Sequence, residues 1–192
     1  KMQQLSIDDL KETWNKRLKT MEYSVDCWQK VMDIRSLLLT RKNENEKSWL
    51  LFASLAQKKN NFKLGESILK NLDSSKPEVH FAVLKHKWLE NGSLEVLNEF
   101  KTYIRLCGSR GDVESTLLAK WYFKWAIWKK TLDPKARDEI IAALFTATTF
   151  NMNHHKSWHH WALANLESAE NTCDEDTKKN HLISAIHGFF KA

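Results

Sequence analysis

Trp14, Leu18, Met21, Val25, Trp28 and Met32 recur at steps of four, three, four, three and four. Those intervals put side chains on one face only in an α-helix, whose turn takes about 3.6 residues. No stretch alternates with period two for long enough to argue a strand. The 192 residues include five glycines and two prolines, so there is little material for the tight turns of hairpins. Leu, Lys, Glu and Ala, all strong helix formers, dominate instead. With 42% apolar residues the chain can bury a sizeable core, and the expected fold class is all-α.

The first stripe predicts a long N-terminal helix over about 7–39. Ser6 and Asp9 form a capping-box-like start, and a break is expected near Tyr23-Ser24. Helix pairs are expected over about 45–72, 77–106, 112–150 and 154–191. Polar or glycine-bearing segments separate the helices: RKNENEK at 41–47, KKNN at 58–61, DSSKP at 73–77, NGS at 91–93, GSRGD at 108–112 and NTCDED at 171–176. GSRGD reads as the clearest break. Asp133-Pro134 reads as a helix start, Asp as the cap and Pro in the first turn. Leu182, Ile186 and Phe189 read as the apolar face of the last helix.

The pairs recur at roughly 30–40 residues, the period of helical solenoids. The architecture expected is an antiparallel helix-pair solenoid of tetratricopeptide or HEAT-like repeats. The sequence also echoes itself. Ser48-Trp49-Leu50-Leu51-Phe52-Ala53 and Ser157-Trp158-His159-His160-Trp161-Ala162 share the pattern Ser-Trp-x-x-aromatic-Ala. It is similar to the first helix of a tetratricopeptide-like pair, where the aromatic fills the space between helices and the Ala lets them approach. Trp14, Trp28, Trp49, Phe52, Trp88, Trp121, Trp125, Trp158 and Trp161 are therefore read as packing residues.

The net charge is +6 and the pI about 9.1. Lysines on solvated helix faces account for it; a polyanion site is the other reading. Trp121, Trp125 and Trp128 interleave with Lys120, Lys124, Lys129 and Lys130, as in surfaces that stack on single-stranded nucleic acid. Their spacing is that of a helix core, with the lysines on the opposite flank, so no nucleic acid is expected. His155 and His159 share a helical face, but no third ligand has suggestive spacing, and no metal is expected. Phosphate-cradling, kinase and hydrolase motifs are absent. Cys27, Cys107 and Cys173 are sparse and unpaired in spacing, which suggests reduced thiols and a cytoplasmic setting. No apolar run approaches the roughly 18 residues of a membrane span. No signal-peptide pattern is present, and without Met at position 1 the chain reads as an excerpt.

Several segments, in order, resemble the FAT domain of target-of-rapamycin (TOR) kinases. WNKRL and VDCWQKVMDIRSLL, within 14–38, are similar to the family's W-x-x-R-L, W-Q-x-[IV]-[LM] and R-S-L run. SWLLFASLAQKKNNFKLGESIL resembles its W-[IL]-K-[YF]-A helix pair, and LLAKWYFKWAIW its LLARCFLKxGEW. HHKSWHHWALANLE resembles WYKAWHxWAxxNFE, and AIHGFF resembles AIKGFF. Departures occur at Ala126 and Ile127, which replace Gly and Glu, and at His154 and His155, which replace Trp and Tyr. The loop at 73–77 and the region 107–116 are short for the family.

The resemblance implies a non-catalytic scaffold segment of a large serine/threonine protein kinase that controls growth in response to nutrients. The solenoid would clamp the kinase domain and contact the HEAT repeats of the same parent chain. TOR-complex subunits would be further partners, and the parent would be cytoplasmic, reaching endomembrane surfaces through them. The alternative is a stand-alone helical-repeat adaptor of the half-tetratricopeptide type, as in RNA processing. By the same resemblance a basic pocket would hold inositol hexakisphosphate, with Arg17, Arg35 and Lys85 as the candidate cations. The Lys of the family's W-L-K-Y-A is Leu51 here, and its basic pair on the return helix is Glu66-Ser67. That site is expected to be degraded, and no other cofactor is expected.

Overall fold

A computed structural model describes residues 13, 16–18, 24–38, 46–111 and 113–192. Every regular element among them is a helix, and the chain forms two compact units, residues 1–91 and 92–192. The expected pair over 77–106 is thus divided between the units. Residues 1–12, with the cap expected at Ser6 and Asp9, lie outside the described residues, as does Trp14.

The first unit contains α1 (Val25–Leu38), α2 (Glu46–Lys58), α3 (Phe62–Lys70) and α4 (Pro77–Asn91). Ser24 is not helical, and its carbonyl accepts the first bond of α1 from Trp28 N at 3.1 Å. The expected helix over 7–39 lies partly outside the described residues; α1 covers its later part, with Ser24 just before its first turn. Between α2 and α3 the chain turns on Asn60, whose φ of 59° is the left-handed conformation that Asn tolerates better than most residues. Asn61 then caps α3, its side chain accepting from Leu64 N at 3.2 Å. Pro77 opens α4, where its missing N–H costs nothing. Met32, Phe52 and Leu84 are essentially fully buried. Each such side chain stabilises the fold by about 1.5–3 kcal/mol before chain entropy is counted. Trp28 stacks on Phe52 with centroids 6.1 Å apart. Inside this core Gln57 Nε2 lies 3.2 Å from His86 Nδ1, each satisfying the other's buried polar atom.

The second unit contains α5 (Leu94–Arg110), α6 (Ser115–Leu132), α7 (Arg137–Phe150), α8 (His155–Glu170) and α9 (Glu175–Lys191). Ser93 caps α5 by accepting from Val96 N. Asp174 caps α9 by accepting from Thr177 N at 2.9 Å and from the Thr177 hydroxyl. Successive helices pack on one another through short turns, the geometry of antiparallel pairs. Helices one apart are also linked. Lys101 on α5 pairs with Glu139 on α7 at 2.9 Å, and Lys130 on α6 with Glu167 on α8 at 2.6 Å. These pairs are half exposed and worth about 0–1 kcal/mol each, so they mark proximity more than stability. The core is aromatic. Leu97, Phe100, Ile104, Trp121, Trp125 and Trp128 are buried, and the Trp125 indole N–H donates to Leu97 O at 3.1 Å.

Three expectations need correction. The break at 108–112 begins later than expected: α5 runs through Gly108 to Arg110, and Gly111, at φ 68°, makes the left-handed cap. Asp133-Pro134 does not start a helix. Asp133 closes α6, donating its N–H to Lys129 O, and its carboxylate accepts from Lys135 N at 3.2 Å. This is an Asx turn, equally open to an Asp-Pro pair, and α7 begins at Arg137. Leu182, Ile186 and Phe189 are exposed rather than packed. The face of α9 that meets α8 is Ala185 and Gly188, small residues that let the two backbones come close.

Candidate functional site

The three cations of the expected polyanion site all lie in the first unit. Arg17 is exposed, on the helical stretch 16–18. Arg35 on α1 is only 2% exposed, and burial pulls its guanidinium below its ordinary pKa. Lys85 on α4 is half-buried, with Nζ 3.2 Å from the Ser54 hydroxyl of α2. Each of the three is already engaged within the protein. Leu51, where the family has Lys, is 58% exposed. Glu66 pairs with Lys70 at 2.8 Å, and that lysine holds its carboxylate below the ordinary range.

The echoed helices share a burial pattern. Phe52 and Ala53 on α2 match Trp161 and Ala162 on α8, all buried. Trp158 is 6% exposed and its indole donates to Met152 O at 2.8 Å. Of the other indoles read as packing residues, Trp28, Trp121 and Trp125 are buried, whereas Trp49 and Trp88 are half-buried. Trp121, Trp125 and Trp128 therefore have no free face on which a base could stack.

The histidines lie on α8 and at its start. His154 Nδ1 is 2.6 Å from the Ser157 hydroxyl, a distance that would suit a base and a nucleophile. Ser157 is wholly buried, so this pair braces the helix start and meets no substrate. His154 and His160 both set their rings edge-on to Phe123, at 5.4 and 5.1 Å. His159 is exposed beside Phe189. No group of three metal-ligating side chains occurs among the described residues.

Burial, followed by nearby Lys120 and Lys156, holds His154 below its ordinary pKa of 6.5. Burial, followed by His159, Lys130 and Lys156, does the same at His160. The unfolded chain therefore binds protons near pH 6.5 that the folded one resists. This contribution to stability is present above about pH 6.5 and is lost as pH falls through the lowered folded values. The unfolding midpoint should drop between about pH 7.5 and 5.5, and a His154→Asn, His160→Phe variant should flatten that slope.

Several polar residues with well-defined roles carry no signal in the sequence. Gln57 and His86 stand 29 positions apart, and nothing in either local sequence marks the pair. Buried Asn165 on α8 holds His181 Nδ1 of α9 at 2.9 Å.

The FAT domain family matches residues 2–192. Serine/threonine-protein kinase tor1 of Schizosaccharomyces pombe is 29% identical over 96% of this chain and 10% of its own length. Serine/threonine-protein kinase TOR2 of Saccharomyces cerevisiae is 29% identical over 82% of this chain and 8% of its own. Serine/threonine-protein kinase TOR of Oryza sativa is 26% identical over 94% and 9%. The chain thus spans about a tenth of the length of these relatives. The crystal structure of MamA covers 97% of this chain and 96% of its own with a TM-score of 0.55 at 15% identity, a likeness of fold alone. No helix among the described residues is long and apolar enough to cross a membrane. A family match running from residue 2 to residue 192 places this all-α chain in the FAT domain family.

Proposed function

We propose that this chain is a non-catalytic scaffold segment of a TOR-type serine/threonine protein kinase. Its helices would clamp the kinase domain and contact the HEAT repeats of the same parent, in a cytoplasmic complex that controls growth in response to nutrients. The observation that carries the reading is the FAT match over residues 2–192. The relatives support it, all being serine/threonine kinases of the TOR type. The core is consistent with it physically: buried indoles on α6 and α8 fill the second unit's interior, and close packing of that kind resists deformation, as a clamp requires. The full-length protein should transfer phosphate from Mg-ATP to serine or threonine of a protein acceptor. A purified full-length chain without such activity would return the adaptor reading.

The inositol hexakisphosphate site is proposed to be degraded. Six phosphates need matched cations converging on them. Buried Arg35, the engaged Lys85, apolar Leu51 and acidic Glu66 all count against that. Two missing charge-assisted contacts at about 1.5–3 kcal/mol each would weaken binding by several kcal/mol. Calorimetric titration of the full-length protein with inositol hexakisphosphate should give weak or no binding. Sub-micromolar binding abolished by Arg17→Glu would reverse the proposal.

A further inference from the structure

Within the second unit, α5, α6 and α7 frame a pocket of about 280 Å³. Its floor is aromatic and apolar, made by Ile104, Tyr122 and Trp125, and the small Ala142 and Ala143 on α7 leave it open. Charged side chains stand at its rim, and they are not equivalent. Lys101 is committed: its Nζ lies 2.9 Å from Glu139 Oε2 and 4.9 Å from the centre of the Trp125 ring. Glu139 is committed in turn, its carboxylate held below the ordinary range first by Lys101. Arg105 is different. It is exposed, and among the described residues it has no ion pair or hydrogen bond. Its charge is felt at the half-buried Tyr122 phenol, where it opposes the upward push of burial. Tyr122 is held by stacking on Phe150 at 5.5 Å, with no hydrogen bond to its hydroxyl among the described residues. A guanidinium and a phenol O–H, both with donors to spare, thus stand over an aromatic floor.

Size and charge together select the occupant. Sites for whole small molecules run to roughly 300–1,000 Å³; at about 280 Å³ this one stands at the lower edge of that range and has room for a single large side chain. A free guanidinium is matched best by a carboxylate, which it can grip with two parallel bonds. We propose that the α5–α6–α7 pocket docks a short acidic peptide segment of a partner protein. One aromatic or large aliphatic side chain fills the pocket, and a neighbouring carboxylate meets Arg105 and the Tyr122 hydroxyl. The proposal stands apart from the kinase reading, since it rests on this pocket alone.

The test uses the full-length protein and two fluorescein-labelled peptides, Gly-Ser-Asp-Phe-Asp-Gly-Ser and its Asn-Phe-Asn counterpart, with binding followed by anisotropy. One anchor and one charge pair should give the acidic peptide a Kd of about 0.01–1 mM. The neutral peptide should bind at least about tenfold more weakly. Arg105→Glu should weaken the acidic peptide by a similar factor, and so should Ala142→Phe, which fills the pocket from an exposed position. Arg110→Glu, also exposed on α5 but outside the pocket, should change little. Both pocket variants alter exposed residues and should leave the unfolding midpoint in place. If Ala142→Phe fails to fold, the Arg105 variant and the neutral peptide decide between them. Equal binding of the two peptides, indifference to Arg105→Glu, or no binding at about 1 mM would each overturn the proposal.

Discussion

Replacing Trp121 with Ala is expected to cost about 3–5 kcal/mol of stability. The indole is 1% exposed, the largest of the fully buried side chains, near the middle of α6. That helix lies between α5 and α7 in the packing order, so a cavity there has walls on both sides. The ring meets Tyr103 of α5 at 5.8 Å. Its helix neighbours cannot swing in to fill the space. Trp125 is tied to Leu97 O, and Trp128 packs on Phe100 at 5.1 Å. Trp49→Ala on α2 removes the same atoms from a half-buried site; part of that indole already lies in water, so a smaller loss is expected. A compact unit of this size has about 5–15 kcal/mol in total, so the Trp121 variant should open measurably. Hydrogen exchange on the full-length protein would read this out, with α5, α6 and α7 losing protection together. Unchanged exchange across these helices would mean that the indole does not hold them.

The difference between these two tryptophans also marks how much could be read from sequence. Both sit on apolar stripes of the right period, and periodicity gives the face of a helix without saying how many neighbours cover it. Trp121 and Trp125 were legible because their spacing is that of a helix core, and both are buried. On α9 the same reasoning fails. Large residues were expected to pack, yet Ile186 is 57% exposed while Ala185 and Gly188 make the contact. Close helix approach favours small residues, and size-weighted periodicity overlooks them. Turn chemistry was ambiguous for a related reason. Asp-Pro starts a helix or makes an Asx turn with the same two residues, and the conformation of the next few residues decides between them. The candidate cations were named from a motif, and a motif carries no burial: Arg35 is buried and Arg17 is exposed. The Arg105–Tyr122 pocket had no local signal, since its walls come from three helices spread over about 45 residues.

Gly188→Leu is expected to destabilise the second unit by more than about 3 kcal/mol. A Cβ at position 188 would lie 2.8 Å from the Ala162 Cβ, 3.0 Å from Trp161 Cε3 and 3.2 Å from Trp158 O. The first distance is shorter than real Cβ contacts allow. The last is to the backbone of α8, which no rotamer change can move. The added carbon would therefore force α9 away from α8, and α8–α9 is the most extensive helix contact among the described residues. Helix propensity acts the other way. Ala in place of Gly within a helix gains about 1 kcal/mol, while overpacking costs about 1–3, so Gly188→Ala should be neutral to mildly destabilising. Leu adds three more carbons with no space to enter, and the balance becomes clearly unfavourable. Gly108 supplies the contrast. It lies inside α5, and a Cβ there would meet nothing within 4 Å; only the propensity gain remains, and Gly108→Ala should stabilise by up to about 1 kcal/mol. Thermal unfolding of the three variants in the full-length protein, with exchange protection followed in α8 and α9, separates the cases. Gly188→Leu with an unchanged midpoint and intact protection would show that the two helices do not approach as closely as Ala162 and Trp158 require.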